Sequence, residues 1–441
     1  METRDVLQKI KDDSIEEINL IFTDFLGQIK SVTITSERVP EAFEKGIWFD
    51  GSSIEGFTRI SESDMYLMPD PSTYNPVAWE QARIAQMMCD IFTPDGKPFE
   101  GDPRFILKRA ISDANLMGYE YMVGPELEFF LFRNGDKQNP EPIPHDTAGY
   151  FDNSTRDQAV LIRREMVKAV TAMGIDVEMS HHEVADGQHE IDFKYGGALE
   201  TADRVIIMKS AIKSIAQRHG TFASFMPKPI FGINGSGMHV HQSLFDRSGK
   251  NIFFDEKDSH KLSDTAKSFI SGQFKHIKHI TAVTNPTVNS YKRLVPGYEA
   301  PVYICWGQKN RSALIRIPRY SPGREQSTRA EIRCPDPSCN PYMAFAMMLW
   351  AGLDGIKRKL ILDDPQSDDV YKFNYEERVQ KGIEMLPGSL HDAVLLFEQG
   401  TITDKLGAET KKKYIKAKMK EWDSYRTQVT KWELNTYLPI V

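Results

Sequence analysis

The chain has 441 residues, of which 40% are hydrophobic and 27% are charged, and its formal net charge is −7. This composition is typical of a globular protein with two or three domains. The acidic balance argues against broad or direct nucleic-acid binding, which requires a basic face.

Three further features indicate where the protein works. Residues 1–13 are charged throughout and lack the apolar core of a signal peptide. The longest apolar stretch, residues 342–353, is too short to span a bilayer and predicts a buried helix. The chain has 4 cysteines and no CxxC pair, which favours reduced thiols. Together these features predict a cytoplasmic protein without membrane association.

Residues 1–102 predict a small α+β domain. Runs of apolar residues predict its strands, and glycine and aspartate mark the turns between them. The predicted elements, in chain order, are a helix at 2–11, strands at 15–23 and 29–35, a helix that Ser36 caps and that ends before Gly46, and a strand at 84–92.

A domain boundary is predicted at Asp102 and Pro103. Asp102 is a favourable N-cap, Pro103 suits the first helical position, and Gly118 ends the helix that they begin. Helices then alternate with strands through a second, larger domain at 103–441. Its predicted helices lie at 155–173, at 202–219, at 261–281, after Asn340-Pro341, and over most of 374–438.

The most informative segments are strands in which charged side chains stand two residues apart. Successive side chains of a strand point to opposite faces, so residues two apart share a face. Glu126 and Glu128 therefore share one face of the strand at 124–130, and His239 and His241 share a face in the same way. The spacing recurs at 188–193, which follows His181-His182-Glu183, and at Arg329, Glu331 and Arg333.

Any one of these segments is more simply a strand with one face in water. Four of them in one chain favour a site, because charged groups on facing strands need partners or a bound ligand. Ligands that are mainly glutamate, with histidine and without cysteine, select Mg²⁺ or Mn²⁺ over Zn²⁺ and suffice for two ions. Flanking arginines predict binding of phosphate and carboxylate groups; they are Arg293, Arg311, Arg316, Arg319, Arg324, Arg329 and Arg333.

No nucleotide-binding fingerprint supports the binding of ATP. The turn at 234–237, Asn-Gly-Ser-Gly, is rich in glycine, but such a turn is a weak signal alone. The sequence contains neither a Walker-type GxxxxGK[ST] loop nor a GxGxxG turn between strand and helix. A phosphate donor is therefore inferred from the predicted metal ions and arginines.

In order and spacing, these segments resemble the signature segments of the glutamine synthetase family of bacterial and archaeal type I. The resemblance extends over nearly the whole chain and implies an α+β fold. A small N-terminal β-grasp-like domain would precede a larger catalytic domain with a curved antiparallel sheet backed by helices. A dodecamer of two hexameric rings, with active sites between subunits, is also implied. The segments that carry the resemblance are 49–54, 124–130, 181–190, 234–241, 289–301 and 329–333.

The resemblance implies an ATP-dependent glutamate–ammonia ligase of nitrogen assimilation. Phosphoryl transfer from ATP to glutamate would give γ-glutamyl phosphate, and ammonia would displace phosphate to give glutamine, with ADP as the other product. Two or more Mg²⁺ or Mn²⁺ ions per active site are implied. One ion would be held by Glu128, Glu183 and Glu190, and another by Glu126, His239 and Glu331.

The same resemblance assigns positions to the substrates. ATP would be bound by Glu178, Phe193, His241, Ser243, Arg316 and Arg329. Glutamate would be bound by Asn234, Gly235, Arg293, Glu299 and Arg333. Ammonium would be bound by Tyr150 and Glu183 with Asp50 and Ser53 of a neighbouring subunit. The implied catalytic residues are Asp50 as general base, Arg311 and Arg329 beside developing charge, and Glu299 on a flap that closes the site.

Two positions bear on regulation. One branch of the family is switched off by adenylylation of a tyrosine in the context Asn-Leu-Tyr-Asp-Leu. Residues 368–373 read Asp-Asp-Val-Tyr-Lys-Phe, which predicts no adenylylation of Tyr371 and favours the other, alpha-type branch. Arg59 stands where that branch ties an arginine to feedback by glutamine, and a surface ion pair is an equal alternative. Regulation by 2-oxoglutarate, a PII-type protein or a transcription regulator stays open.

Two other functions are weighed against this one. A γ-glutamyl-polyamine or γ-glutamyl-amine ligase would share the fold and metal ligands but lack the ammonium-site motif, whereas Asp50 and Ser53 are present. A non-catalytic regulatory protein of the same fold would lack metal ligands or arginines, whereas all six metal positions are filled. The glutamate–ammonia ligase is therefore the favoured prediction.

Overall fold

The computed structural model of the chain describes residues 1–52, 54, 64–80, 83–134, 141–297 and 300–441. Helices and strands are mixed along these ranges, and the strands form two sheets, so the α+β prediction is confirmed. Of the helices in these ranges, none is long and apolar enough to cross a membrane.

The first sheet has six strands and lies in the N-terminal part of the chain. Its strand order is 2-1-6-4-3, with strand 5 paired to strand 6. Strands 1 and 6 are parallel, and the other pairs are antiparallel. The elements are α1 (Thr3–Asp12), β1 (Glu17–Thr23), β2 (Ile29–Thr35), α2 (Val39–Lys45), β3 (Ile47–Asp50), β4 (Asp64–Pro69), β5 (Asn75–Pro76) and β6 (Ile84–Phe92).

Sequence periodicity accounts for most of this sheet and its helices. Val6 and Ile10, four residues apart on α1, are buried in one core with the alternating Ile18 and Leu20 of β1. Strands β2 and β6 have the predicted bounds. The helix predicted from Ser36 instead starts with a 3₁₀ turn, Ser36–Arg38, before α2. Pro40 explains the difference, because proline has no N–H to donate to the carbonyl of residue 36.

The second sheet has nine strands and forms the larger part of the chain with its helices. Its strand order is 13-14-15-12-7-9-8, and strands 10 and 11 also pair with strand 7. The elements are α3 (Pro103–Leu116), β7 (Tyr119–Arg133), α4 (Val160–Ala172), β8 (Val177–His182), β9 (Gln188–Phe193), β10 (Gly196–Gly197), α5 (Ala198–Arg218), β11 (Thr221–Ser224), β12 (Val240–Asp246), α6 (Asp264–Thr284), α7 (Ser290–Arg293), β13 (Tyr303–Gly307), β14 (Ala313–Arg316), β15 (Ala330–Ile332), α8 (Pro341–Arg358), α9 (Tyr375–Gln380), α10 (Leu390–Gln399), α11 (Ala408–Arg426) and α12 (Lys431–Tyr437).

Two sequence predictions for this larger part need correction. The sheet is mixed, because β13 and β14 run parallel, whereas an entirely antiparallel sheet was expected. Helix α4 begins at Val160 and not at residue 155. The carboxylate of Asp157 accepts a hydrogen bond from the N–H of Ala159 and pairs with Arg163. This side chain therefore holds a turn in place of the first helical turn.

The predicted helix signals at Asp102 and Asn340 are confirmed. The Asp102 carboxylate accepts from the N–H of Arg104 at the start of α3, and the Asn340 side chain accepts from two N–H groups at the start of α8. The apolar stretch at 342–353 lies within α8 and is buried, as predicted.

A buried arginine, Arg104, forms ion pairs with both the N-terminal part and the larger part of the chain. The Arg104 guanidinium binds both carboxylate oxygens of Asp203 on α5 at 3.0 and 2.9 Å. It also donates to Asp70 and Asp90, which belong to the N-terminal part, at 2.8 Å each. Since Arg104 is 3% exposed, its charge is compensated almost entirely by these three carboxylates. Arg104 is thus one of the side chains that join the N-terminal part to the larger part.

Candidate active site

Five neighbouring strands of the larger sheet, β14, β15, β12, β7 and β9, bring charged side chains onto one face. Glu126 and Glu128 of β7 lie opposite Asp192 and Glu190 of β9. On the other side of β7, His241 of β12 pairs with Glu331 of β15, and Glu331 pairs with Arg316 of β14. The predicted alternation along these strands is therefore present, although β12 begins at Val240 and His239 precedes it.

Glu126 is the centre of one carboxylate–histidine cluster. Its two oxygens lie 2.9 Å from Nδ1 of His239 and 2.7 Å from Nε2 of His241. His239 Nδ1 is also 3.8 Å from Glu331, which is almost fully buried. Although burial opposes it, the two histidine hydrogen bonds lower the pKa of Glu126.

A second cluster lies on the other side of β7. His181 Nδ1 and Nε2 lie 3.5 Å from Glu183 and 3.5 Å from Glu190. Glu128 stands opposite Glu190, and its carboxylate accepts from Gln188 at 2.9 Å. Burial, and then repulsion from Glu183, raises the pKa of Glu128 to about 8. Burial, and then repulsion from Glu128, raises the pKa of Glu190 to about 9.

Both clusters fit a hard divalent cation. One ligand atom from each of Glu126, His241 and Glu331 lies within 4.8 Å of the others, and the same holds for His181, Glu183 and Glu190. Oxygen donors predominate in each set, as Mg²⁺ and Mn²⁺ prefer. Burial, and then repulsion from neighbouring carboxylates, raises the pKa values of Glu128 and Glu190, and a bound cation would relieve that repulsion.

Arginine side chains surround the first cluster. Arg316 lies 2.9 Å and Arg333 3.2 Å from the carboxylate of Glu331. Arg329 Nε donates to His241 Nδ1 at 3.1 Å. Because a guanidinium can only donate, His241 carries its proton on Nε2 and donates it to Glu126. These contacts place arginines next to the carboxylate and the imidazole of the cluster, and they fix the tautomer of His241.

Two adjoining cavities contain most of the predicted site residues. The first, of about 280 Å³, is lined by all six predicted metal ligands and by Asn234, Gly235, Arg293, Arg333, Tyr150, Arg311 and Arg316. The second, of about 350 Å³, is lined by Glu178, Phe193, His241, Ser243 and Arg329. Glu126, Met179 and Asp192 line both cavities, so the two lie side by side.

One predicted residue lies elsewhere in the described structure. Asp50 ends β3 and does not line the first cavity of its own chain. Ser53, Arg59 and Glu299 lie outside the described residues.

The structure adds residues to which no role was given from the sequence. His181 bridges two carboxylates, Gln188 supports Glu128, and Phe151 lines the first cavity. Asp192 lines both cavities, and burial, followed by repulsion from Glu190, raises its pKa to about 9. His181, Gln188 and Asp192 lie within the polar segments already recognised, so their spacing was the available signal.

The fold and the site are those of a two-domain α+β enzyme with a cleft of carboxylates, imidazoles and guanidinium groups on a curled sheet. Residues 14–94 match the family described as glutamine synthetase, beta-Grasp domain, and residues 100–437 match glutamine synthetase, catalytic domain. The chain therefore belongs to the glutamine synthetase family, and the predicted pairing of a β-grasp domain with a larger catalytic domain is confirmed.

Several known proteins are similar to this chain over almost their whole length. The glutamine synthetase of Methanosarcina mazei is 51% identical over 440 residues, covering 99% of this chain and 98% of that protein. The glutamine synthetase of Clostridium saccharobutylicum is 50% identical over 437 residues, covering 98% of each. A solved structure described as a GmaS/ADP complex has a TM-score of 0.90 at 32% identity, covering 98% of this chain and 99% of that chain.

Proposed function

We propose that the protein is an ATP-dependent glutamate–ammonia ligase that makes glutamine through γ-glutamyl phosphate. The observation that carries the proposal is the pair of carboxylate–histidine clusters in a cavity that also contains Arg293, Arg316 and Arg333. Phosphoryl transfer between two anions needs such an arrangement, because positive charge must offset the charge of both substrates.

The proposed metal ligands all line the first cavity and lie in or beside the two clusters. Glu128, Glu183 and Glu190 would hold one Mg²⁺ or Mn²⁺, and Glu126, His239 and Glu331 would hold another. When bound, these ions supply positive charge to phosphate oxygens. His181 lies in the second cluster and is a further candidate ligand.

ATP is placed in the second cavity, with its phosphates directed toward the first. Glu178, Phe193 and Ser243 line the second cavity and would contact the nucleoside. Arg329 is held beside His241 at 3.1 Å, near Glu126, which lines both cavities. The positive charge of Arg329, with Arg316 nearby, would offset the negative charge of the transferring phosphoryl group. The similar solved chain is described as an ADP complex, which accords with a nucleotide site in this fold.

Glutamate is placed against the arginine side of the first cavity. Arg293 is 4% exposed, and its guanidinium donates to the carbonyls of Arg333 and Cys334 at 3.2 and 2.8 Å. This fixed guanidinium, with Arg333, Asn234 and Gly235, would bind the substrate. Arg311 would stabilise the charge of the departing phosphate, and Glu299 would belong to the flap that closes the site.

Ammonium is placed beside Tyr150 and Glu183, which line the first cavity. Asp50 and Ser53 of a neighbouring subunit would complete this site, with Asp50 as the base that deprotonates ammonium. The position of Asp50 away from the cavity of its own chain supports a site shared between subunits. This arrangement supports a homo-oligomer, and from the resemblance to the family we propose a dodecamer of two hexameric rings.

The activity is tested by phosphate release from ATP in the presence of glutamate and Mg²⁺. We expect release that depends on ammonium and equals the glutamine formed. Parallel reactions contain a polyamine or no amine, and both should release little phosphate. Release that requires the polyamine would contradict the proposal in favour of the polyamine ligase. No release, with or without 2-oxoglutarate as activator, would contradict catalysis itself.

The shared site predicts complementation between two inactive variants. Chains with Asp50→Ala and chains with Glu331→Gln should each form inactive oligomers. When they are co-expressed, about one interface in four combines an intact Asp50 with an intact Glu331, so about a quarter of wild-type activity should return. Mass spectrometry of the intact oligomer verifies mixing. Mixed oligomers without activity would show that each chain uses its own Asp50.

Regulation is proposed to follow the alpha-type branch in the cytoplasm, without adenylylation. Tyr371 supports this, since its hydroxyl donates to the carbonyl of Ala300 at 2.8 Å and its side chain is only partly exposed. Glutamine feedback through Arg59, or a PII-type or transcription-regulator partner, would act on this form of the enzyme.

A further inference from the structure

A network of charged side chains lies buried behind the hairpin that β8 and β9 form. This hairpin carries Glu183 and Glu190 of the second cluster. None of the network's side chains lines either of the two cavities. The members of this buried network are Asp146, Asp157, Arg163, His182 and His189.

One half of the buried network holds His182 as a cation. Its Nε2 lies 2.8 Å from Oδ1 of Asp146, and its Nδ1 lies 2.7 Å from the carbonyl oxygen of Glu183. Both partners are acceptors, so both ring nitrogens carry protons. Asp146 Oδ1 also accepts from the N–H of Gly187 at 3.0 Å, inside the turn of the hairpin. Asp146 therefore holds both the end of β8 and the turn that follows it.

The other half holds His189 as a neutral ring. Arg163 Nη1 lies 3.0 Å from His189 Nδ1, and since arginine only donates, Nδ1 carries no proton. Nε2 lies 3.9 Å from Oδ2 of Asp146, which is too far for a hydrogen bond, and neither atom has another hydrogen-bond partner among the described residues. Asp157 pairs with Arg163 at 2.7 Å. Two carboxylates thus balance one guanidinium and one imidazolium, and all of these side chains are buried.

The network is joined to the active site through the backbone. His182 and His189 lie directly opposite each other across the hairpin, one residue before Glu183 and Glu190. Their rings contact edge to face, 4.7 Å apart. The loop from Asp146 also carries Phe151, whose N–H donates to the carbonyl of His182 at 3.1 Å. Displacing His182 or His189 would therefore move the backbone from which both glutamates project.

We propose that Asp146, through His182 and His189, positions Glu183 and Glu190 for divalent-cation binding. Asp146 is a positioning residue and touches no substrate. The inference rests on the proposed function of the cluster as a cation site. Groups that orient metal ligands from behind commonly change cation affinity by about 10- to 100-fold.

A cation bound within the network itself is the competing interpretation. Ligand atoms of Asp146, His182 and His189 lie within 4.8 Å of one another. However, both nitrogens of His182 face acceptors, and the Arg163 guanidinium already occupies Nδ1 of His189. A second positive charge at this place would face the guanidinium without additional carboxylate, so balanced ion pairing is the better account.

The test measures Mn²⁺ binding to the full-length oligomer by titration calorimetry without substrates. Asp146→Asn keeps the shape of the side chain and removes its charge. We expect Mn²⁺ affinity to fall about 10- to 100-fold at the cluster that contains Glu183 and Glu190. The Mg²⁺ concentration for half-maximal glutamine formation should rise by the same factor, while kcat at saturating Mg²⁺ stays within about threefold of wild type.

Asp354→Asn is the matched control. Asp354 also pairs with a buried histidine, His276, at 2.7 Å, but between α6 and α8 and away from both cavities. The Asp354→Asn variant should lose thermal stability as Asp146→Asn does, but it should keep wild-type Mn²⁺ affinity. If Asp146→Asn does not fold, Arg163→Lys serves in its place, since it keeps the charge but loses the paired hydrogen bonds to Asp157.

Two outcomes would overturn the inference. Equal Mn²⁺ affinity in Asp146→Asn and Asp354→Asn would show a purely structural network. A metal ion that survives chelation of the wild-type protein and is absent from Asp146→Asn would show a cation site within the network. Wild-type protein that binds Mn²⁺ but makes no glutamine would contradict the proposed function and leave the positioning inference intact.

Discussion

Replacing Glu331 with glutamine should lower glutamine formation by about 10³-fold or more while the protein remains folded. The carboxylate is 1% exposed and interacts with Arg316 at 2.9 Å and with Arg333 at 3.2 Å. It also lies 3.8 Å from His239. Loss of its charge removes an anionic ligand from one cation site and leaves three basic side chains around a neutral amide. The variant should therefore bind the cation more weakly and also leave the charge of the surrounding basic side chains uncompensated.

The measurement is steady-state glutamine formation over a range of Mg²⁺ and Mn²⁺ concentrations. Glu325→Gln is the control, because Glu325 is an exposed glutamate of the same segment whose contact is to the hydroxyl of Tyr320. It should retain wild-type rates. Near-normal rates in Glu331→Gln, or rates restored by a modest increase in Mg²⁺, would contradict the assignment of Glu331 as a metal ligand.

The polar face of the site could be predicted from the sequence because it depends on local geometry. Alternation along a strand puts Glu126 and Glu128 on one face whatever the partners are, and both line the first cavity. Strand β9 has the predicted bounds, since its polar pattern ends where the chain turns. The same local reasoning identified the caps at Asp102 and Asn340.

The rest depends on contacts between distant parts of the chain. Asp146 and His182 are 36 residues apart in sequence, and nothing in the spacing around Asp146 marks it as a partner. Arg104 and Asp203 are 99 residues apart. The parallel pairing of β13 and β14 likewise depends on how the intervening loop returns. The grouping of His181 with Glu183 and Glu190 emerges only when β8 and β9 pair.

Replacing Gly237 with alanine should reduce glutamine formation by about 10²- to 10³-fold, although only one methyl group is added. An added Cβ would lie 2.5 Å from Nη2 of Arg293 and 3.2 Å from Nε2 of His239. Arg293 has little freedom to retreat, because its guanidinium donates to carbonyls of residues 333–335. The N–H of Gly237 also donates to Glu128 at 2.9 Å, so the methyl group would disturb three site residues at once.

The fold should tolerate this change, because the backbone of Gly237 is not left-handed and overpacking of this kind costs about 1–3 kcal/mol. Activity and stability should therefore separate: a raised KM for glutamate and a lowered kcat, with a small shift of the thermal unfolding midpoint. Gly388→Ala is the control, since an added Cβ there meets nothing within 4 Å. Normal kinetics in Gly237→Ala would mean that neither Arg293 nor His239 needs its observed position for catalysis. That outcome would contradict both the proposed glutamate site and the proposed cation site that contains His239.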